Sequence, residues 1–442
     1  MARHQPSHAA RARGPWWLVA ACVVALLLGS AGAVALANNG PDAGPTSSAD
    51  GTTASGTPRP TSGPDGELPS QPAPFPPVPT VTFSLVAAGD VLTHTPVLDS
   101  ARSGSGYDFG PQLKPTSPLV KAGDIALCHL EVPVAPKGTN PSGYPMFGAP
   151  ASLVGDLGDA GWDGCSTASN HSVDRGFPGI EATLDAFEKE GMGHAGTARS
   201  AKEAAQVQFY NVVEDGRTIK VAHISYAYGL NGLPVPAGKP WSVNVFNAND
   251  ADVTPILDAA KDAREHGADI VVTSVHCCVE YTTQPTSTQE SIASQIAESG
   301  LVDLYIGHHA HVPQPIAKLD GGPDGKGMWV AYGLGNFISN QAQDTVGHPE
   351  TSNGLVITAT FTVAPDGEVD VGVGWTAVTV DRLGDHIVYP ITEDTGKVGG
   401  LSASTVKSRW QLVANAAGDE AVELKEPGEP LADFVWSTTR TP

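Results

Sequence analysis

From Val81 onward the chain alternates short apolar runs with amphipathic stretches, and the two periods are distinct. Val81 to Ala88 reads as a buried strand that ends at Gly89-Asp90, and Asp124 to Leu130 as a second that ends at Glu131. Ala151 to Ala160 has a helical pattern stopped by Gly161, and Trp162 to Ala168 leads into Ser169-Asn170-His171. Pro178 to Glu190 is an amphipathic helix, with Gly191 suited to a left-handed closing position. Ile219 to Tyr226 is a strand. The helix Asp252 to His266 places Ile256, Leu257, Ala260 and Ala263 on one face. Ala268 to Val275 is a strand reaching His276. The helix Ser287 to Ser299 comes next, with Thr286 and Gln289 at the spacing of a capping box. Leu301 to Ile306 runs into Gly307-His308-His309-Ala310-His311, and Met328 to Leu334 into Gly335-Asn336-Phe337. Gly354 to Val363, Val369 to Val380 and His386 to Tyr389 read as antiparallel strands, and residues 400 to 424 add a helix. Strand–helix alternation leading into a β-rich portion predicts an α/β fold.

The N-terminal eighty residues keep neither period. Trp16 to Ala37 is one apolar run of 22 positions, preceded by Arg3, Arg11 and Arg13 with no acidic residue. Basic residues before a lone apolar run keep the N-terminus in the cytoplasm and export the rest of the chain. Two fates fit: a retained single-pass anchor, or a signal peptide cut after Ala35-Leu36-Ala37. The run exceeds the usual 7–15 apolar residues of a signal peptide, which favours the anchor. Residues 38–80 contain 11 Pro and six Gly and lack apolar periodicity; they read as a tether. The organisation expected is therefore a basic cytoplasmic tail (1–15), a span (16–37), a linker (38–80), a folded extracellular domain (81–380) and a C-terminal extension (381–442) packed on that domain.

Composition narrows the partners. The 442 residues carry a net charge of −22, and the portion from residue 38 carries 22 basic and 47 acidic residues, a net −25. Such a field repels a nucleic-acid backbone. A polyanionic polymer would also be repelled over most of the surface, so its binding would have to be local. Four cysteines, Cys128, Cys165, Cys277 and Cys278, lie in the exported portion, where disulfides are the default and thiolate ligation of a metal the alternative. Their pairing is open.

The chemistry sits at the strand ends. Asp90, Glu131, Asn170, His171, His276, His309 and His311 all stand at the C-terminal ends of apolar strands, where open α/β sheets bind ligands. Three histidines within four positions, beside carboxylates, suit zinc, manganese or iron better than magnesium or calcium.

The ordered set Gly89-Asp90, His-Leu-Glu131, Ser169-Asn-His-Ser-Val-Asp174-Arg-Gly176, His276 with Glu280-Tyr281, Gly307-His-His-Ala-His-Val-Pro-Gln-Pro315 and Tyr332-Gly-Leu-Gly-Asn336-Phe337 resembles the CapA family of capsule, or poly-γ-glutamate, biosynthesis proteins. The resemblance runs from about Ser84 to Phe361. It implies a four-layer α-β-β-α sandwich of the calcineurin-like metallophosphatase type behind a single membrane anchor. It further implies two divalent metals held by Asp90, Glu131, Asn170, His276, His309 and His311, with His171 facing substrate as the catalytic group. His308, Glu280 and Asn336 belong to the same motifs. The ordinary fold has a His two residues after its first Asp; Leu92 stands there in this chain, and His94 is the available substitute. The family has Asn at the place of His129 and Trp-Gly at Cys277-Cys278, which unsettles the position of Glu280. The resemblance leads to two functions. One is a metal-dependent hydrolase of phosphoester or amide bonds acting on a cell-surface polymer or phosphoester substrate. The other is a non-catalytic accessory subunit of a membrane polymer synthase. A third, a wall-associated binding module, is permitted by the tether, but the chain contains no binding motif for it.

Overall fold

The computed structural model describes residues 78–442 except 215, 429–434 and 441–442. The basic tail, the apolar run 16–37 and nearly all of the tether lie outside the described residues. Among the described residues no helix is long and apolar enough to cross a membrane.

Two sheets carry the chain. The first has nine strands. Its main order is Ile387–Ile391, Val369–Asp381, Asn353–Val363, Val81–Val91, Ile125–Leu130, Gly164–Ser166 and Gly193–Ala195. Asn336–Ile338 also pairs with Val81–Val91, and Val422–Glu423 with Val369–Asp381. Along the main order pairing is parallel from Val81–Val91 through Gly193–Ala195 and antiparallel on the other side. On that side only the added Val422–Glu423 runs parallel to its neighbour. The second sheet has seven strands in the order Ile316–Leu319, Met328–Ala331, Leu304–His308, Ile270–His276, Arg217–Ala227, Gln208–Glu214 and Val435–Arg440. Its four central strands, Met328–Ala331 to Arg217–Ala227, are parallel.

Alternation within the apolar runs builds the layers. Leu85 and Ala87 join Leu127, Val221, Val272 and Ile306 in one core between the sheets. Their neighbours Val86, Ala88, Ala126 and Cys128 face outward and pack on helices, through Leu153, Leu157 and Phe187. On the far side Ala222, Val271 and Tyr305 pack with Ile256, Ala260, Ile292 and Ile296. Strands buried on both faces must be apolar at nearly every position, and so they read as continuous hydrophobic runs. The helix Ala403–Ala417 places Val406, Trp410 and Val413 in the inter-sheet core.

The four helices read between residues 151 and 299 keep their expected limits within a residue or two. The last, expected over 400 to 424, spans only Ala403–Ala417, closed by Gly418 ahead of the strand Val422–Glu423. Ser287–Glu298 has the Thr286/Gln289 capping box, and Gly191 closes Gly176–Glu190 at φ 70°. One strand is displaced: Leu304–His308 starts three residues later than the apolar pattern suggests. Gly300 turns at φ 66°, and the buried Asp303 accepts from the Val271 amide at 2.7 Å and from Arg264 at 2.6 Å. The strand consequently runs on through Gly307 to the first histidine of the cluster.

Candidate functional site

The parallel strands of both sheets deliver their C-terminal ends to one place. Glycines permit it at two points. A Cβ on Gly89 would overlap the Gly335 carbonyl oxygen, and one on Gly307 would overlap that of Tyr332. Both strands can therefore lie close against the loop that ends in Asn336. The Asp90 amide donates to Gly335 O at 2.9 Å. Beyond Leu304–His308 the chain turns through His309 at φ 82° and His311 at φ 57°. Left-handed backbone is uncommon outside glycine, and two such residues in three mark a constrained segment.

Asp90, from the first sheet, meets histidines from the second. Its carboxylate lies 3.0 Å from His311 Nδ1, 3.5 Å from His308 Nδ1 and 4.0 Å from His129 Nε2. Glu131 lies 3.8 Å from His311 Nε2 and 3.9 Å from His276 Nε2. Glu280 reaches to 3.9 Å from His311 Nε2. Three sets of donors each fall within 4.8 Å of one another: Asp90, His129 and His308; Asp90, Glu131 and His311; Glu280, His309 and His311. All four oxygens of Asp90 and Glu131 are buried without a hydrogen-bond partner, as are both nitrogens of His308. Burying bare carboxylates is costly unless a cation meets them. The donor set fits a divalent metal, and carboxylate mixed with imidazole suits zinc, manganese or iron.

Burial also sets the charge states. Burial raises the Glu131 carboxyl well above its ordinary value, with His311 opposing and Asp90 adding to it. Burial would raise Asp90 too, but the imidazoles of His308 and His311 outweigh it and the net shift is down. Burial would lower His311, yet Glu131 and Asp90 push it up to about 9. Burial, with neighbouring imidazoles, holds His129 and His276 well below the usual histidine range and His309 at about 3. Those three rings are neutral. The one lone pair of His276 is taken by His129, because its other nitrogen donates to Asn170 Oδ1, while His309 has a lone pair to offer.

The remaining motif residues surround the cluster. His276 belongs to none of the three donor sets; its nitrogens lie 2.9 Å from His129 Nε2 and 3.0 Å from Asn170 Oδ1. Asn170 Nδ2 donates to Asn231 Oδ1 at 3.1 Å. Asn336 Oδ1 lies 3.2 Å from His311 Nδ1, while its Nδ2 donates to the carbonyls of His311 and Thr351. His94 is in no donor set; burial, then His311 and His171, hold it at about 3, and its Nδ1 accepts from the Asn340 amide at 3.4 Å. His171 also stands outside the cluster. Its Nδ1 is 2.7 Å from Asp174 Oδ2, and its ring meets the Phe147 ring edge-on at 4.7 Å. His171, Asn170, Glu280 and His311 line a cavity of about 630 Å³ that also includes His94 and Tyr281.

His129 is the residue that sequence reasoning leaves out of the site. Its Nδ1 is 2.7 Å from Ser166 Oγ and its ring stacks on that of His308 at 4.0 Å. A signal exists in the chain: residues two apart on a strand share a face, so His129 points with Glu131. Cys128 pairs with Cys165 and Cys277 with Cys278, so none of these four is a thiolate ligand. Cys128–Cys165 joins the strands leading to Glu131 and Asn170 at a point where they are already in register.

A mixed α/β domain that gathers buried carboxylates and imidazoles at its strand ends is compatible with a metallophosphatase-like protein. The chain belongs to the family described as bacterial capsule synthesis protein PGA_cap, whose model matches residues 84–341. It is 25% identical over 267 residues to the capsule biosynthesis protein CapA of Bacillus anthracis, covering 59% of this chain and 60% of that one. It is 29% identical over 185 residues to the PGA biosynthesis protein CapA of Bacillus subtilis, covering 42% of this chain and 44% of that one. A probable polyglutamine synthesis accessory protein of Mycobacterium tuberculosis is 23% identical, over 40% of this chain and 45% of its own. The matched stretch thus spans about half the length of these relatives. The solved structure of PhoD aligns at 10% identity and a TM-score of 0.29, over 77% of each chain, a likeness too slight to carry an argument.

Proposed function

We propose that this chain is an exported, membrane-anchored protein of capsule, poly-γ-glutamate or related cell-surface polymer biosynthesis or export, working through a dinuclear-metal hydrolase site. In this reading the folded part is a four-layer α-β-β-α sandwich of metallophosphatase type, held outside the cell by the apolar run 16–37 and the tether. The observation that carries the reading is the pair of buried carboxylates, Asp90 and Glu131, gathered with several imidazoles in donor sets whose atoms lie within 4.8 Å of one another. Asp90, Glu131, His308, His309 and His311, with His129 and Glu280, would hold two divalent ions of zinc, manganese or iron. His276 and Asn170 complete the surround. Metal at such a site supplies Lewis-acid polarisation of a phosphoryl or acyl oxygen.

The chain's own residues do the rest. A carboxylate only accepts, so Nδ1 of His171 carries a proton toward Asp174, and Nε2, 3.5 Å from Asn231 Nδ2, is the nitrogen that can turn to substrate. Protonated, His171 can deliver a proton to a leaving group, and Asp174 keeps its ring oriented. A second reading, a non-catalytic accessory subunit of a membrane polymer synthase, draws on the accessory-protein name of the mycobacterial relatives. The deciding experiment measures metal content and phosphodiester and amide turnover together, for the natural protein and for His171→Gln. Metal with turnover that His171→Gln abolishes supports the hydrolase; metal without turnover on either bond class supports the accessory role.

A further inference from the structure

We propose that Asn231 is a positioning residue of the site: reaching over from the second sheet, its side-chain amide ties Asn170 to His171 and sets where the His171 ring stands. The inference rests on the proposed function for its effect on turnover but not for its effect on placement.

Asn231 follows the strand Arg217–Ala227 of the second sheet, whereas Asn170 and His171 follow Gly164–Ser166 of the first. Its backbone forms a tight turn. Asn231 has φ 52° and Gly232 φ 76°, and the Leu233 amide donates to Leu230 O at 2.8 Å. Two left-handed central residues are the pattern of a type I′ turn, where Asn-Gly is a preferred pair. The turn is anchored beside the motif it serves. Leu230 and Leu233 pack in one apolar cluster with Ala168 and Val173, the residues that bracket Ser169 to Ser172.

Turn chemistry accounts for the residue type but not for the bonds of its side chain. Asparagine in a turn commonly bonds its own backbone; this one reaches two side chains of the first sheet's motif. Asn231 Oδ1 accepts from Asn170 Nδ2 at 3.1 Å. An amide has its acceptor at one end and its donors at the other. Nδ2 is therefore the end left toward His171, 3.4 Å from ring Nδ1 and 3.5 Å from Nε2. With the Nδ1 proton directed at Asp174, a neutral ring meets that donor with the lone pair of Nε2. On its other side Asn170 Oδ1 accepts from His276 Nε2 at 3.0 Å, and His276 contacts His129. Asn231 thus ends a line of hydrogen bonds that starts inside the cluster, and it lines the same cavity as His171. Without its amide, the buried Asn170 Nδ2 loses its acceptor and His171 keeps Asp174 alone as a side-chain hydrogen-bond partner.

The test compares Asn231→Gly and Asn231→Asp with the natural protein, all loaded with zinc. Glycine keeps the left-handed turn and deletes the amide. Aspartate keeps an acceptor for Asn170 and deletes the donor. Hydrogen exchange, read by NMR on protein carrying isotope-labelled asparagine and leucine, follows Asn170 Nδ2 and the Leu233 amide. The kcat and KM for a phosphodiester are measured in parallel. Asn231→Gly is expected to keep its metal and the protection of Leu233 while Asn170 Nδ2 exchanges about tenfold faster. Its kcat should fall about 10–100-fold with KM nearly unchanged, as for other groups that orient a functional side chain. Asn231→Asp is expected to restore the protection of Asn170. Unchanged Asn170 exchange in Asn231→Gly, or an unchanged kcat where the natural protein turns over, would assign Asn231 to the turn alone and overturn the inference. Equal loss of Asn170 protection in both variants would overturn it as well, and this arm decides should Asn231→Gly fail to fold. If Asn170 responds as expected while the natural protein turns over neither bond class, the placement stands and the hydrolase reading falls.

Discussion

His171 Nδ1 lies 2.7 Å from Asp174 Oδ2, three residues along the same loop, with both side chains buried at the cavity. A hydrogen bond of this kind fixes both the ring orientation and the nitrogen left toward the cavity. Asp174→Asn can satisfy Nδ1 only through its amide oxygen and removes the charge that stabilises a protonated ring. Turnover is expected to fall about 10–100-fold with metal content unchanged, as for other groups that orient a functional histidine. Phosphodiester kinetics with elemental analysis of the same sample check this.

His171 and His309 should separate cleanly. His171→Gln is expected to keep its metal and lose about 10²–10⁴-fold in turnover, the usual contribution of a positioned acid. His309→Ala removes one donor of the Glu280, His309 and His311 set and should lose metal and turnover together. Loss of metal from His171→Gln would make His171 a ligand.

Chelation should destabilise the fold. With metal removed, Asp90 and Glu131 leave four buried oxygens without hydrogen-bond partners. A ligand at a hundredfold its dissociation constant adds about 2.7 kcal/mol to stability. EDTA is expected to lower the melting temperature by several degrees, and Asp90→Asn to melt lower and ignore EDTA. Differential scanning calorimetry reads both.

Away from the site, Asp163 gives a pH signature. Burial raises its carboxyl from 3.8 to about 7, although it accepts from the Ala126 amide at 2.7 Å. The folded state therefore favours the protonated acid. Its contribution is complete below about pH 3.8 and is lost as pH rises through about 7. Asp163→Asn keeps an acceptor for Ala126 but cannot ionise. The stability difference between Asp163→Asn and the natural protein should widen from pH 4 to pH 8, by urea titration at each pH.

Much of this was legible in the sequence because of where the strands lie. Ile270–His276 and Leu304–His308 are buried on both faces, so their apolar runs announce them and the polar residue that ends each run stands out. Shorter or half-polar strands leave no such mark. Gly193–Ala195 is three residues long, and Gln208–Glu214 mixes Gln, Asn and Glu into its run. Asp90 was legible as a strand-end residue. Its partners were not, because the contact with His308 and His311 joins two different sheets and is set by their packing rather than by spacing along the chain. His129 was marked only as a departure from the family and left out of the site, because it lies inside the Ile125–Leu130 run, where a histidine reads as a satisfied core residue. The disulfide partners were open for the same reason as the cross-sheet contacts: pairing is a property of neighbouring strands.

Val435–Arg440 is the outermost strand of the second sheet, paired in antiparallel register with Gln208–Glu214. It shields a row of backbone donors and acceptors that would otherwise face outward. A shortened version ending before residue 435 would bare that row, and an open edge recruits whatever strand is nearest, including the same edge of a second molecule. Dimers or aggregates seen only in trimmed preparations would then report on the cut and not on how the intact protein assembles.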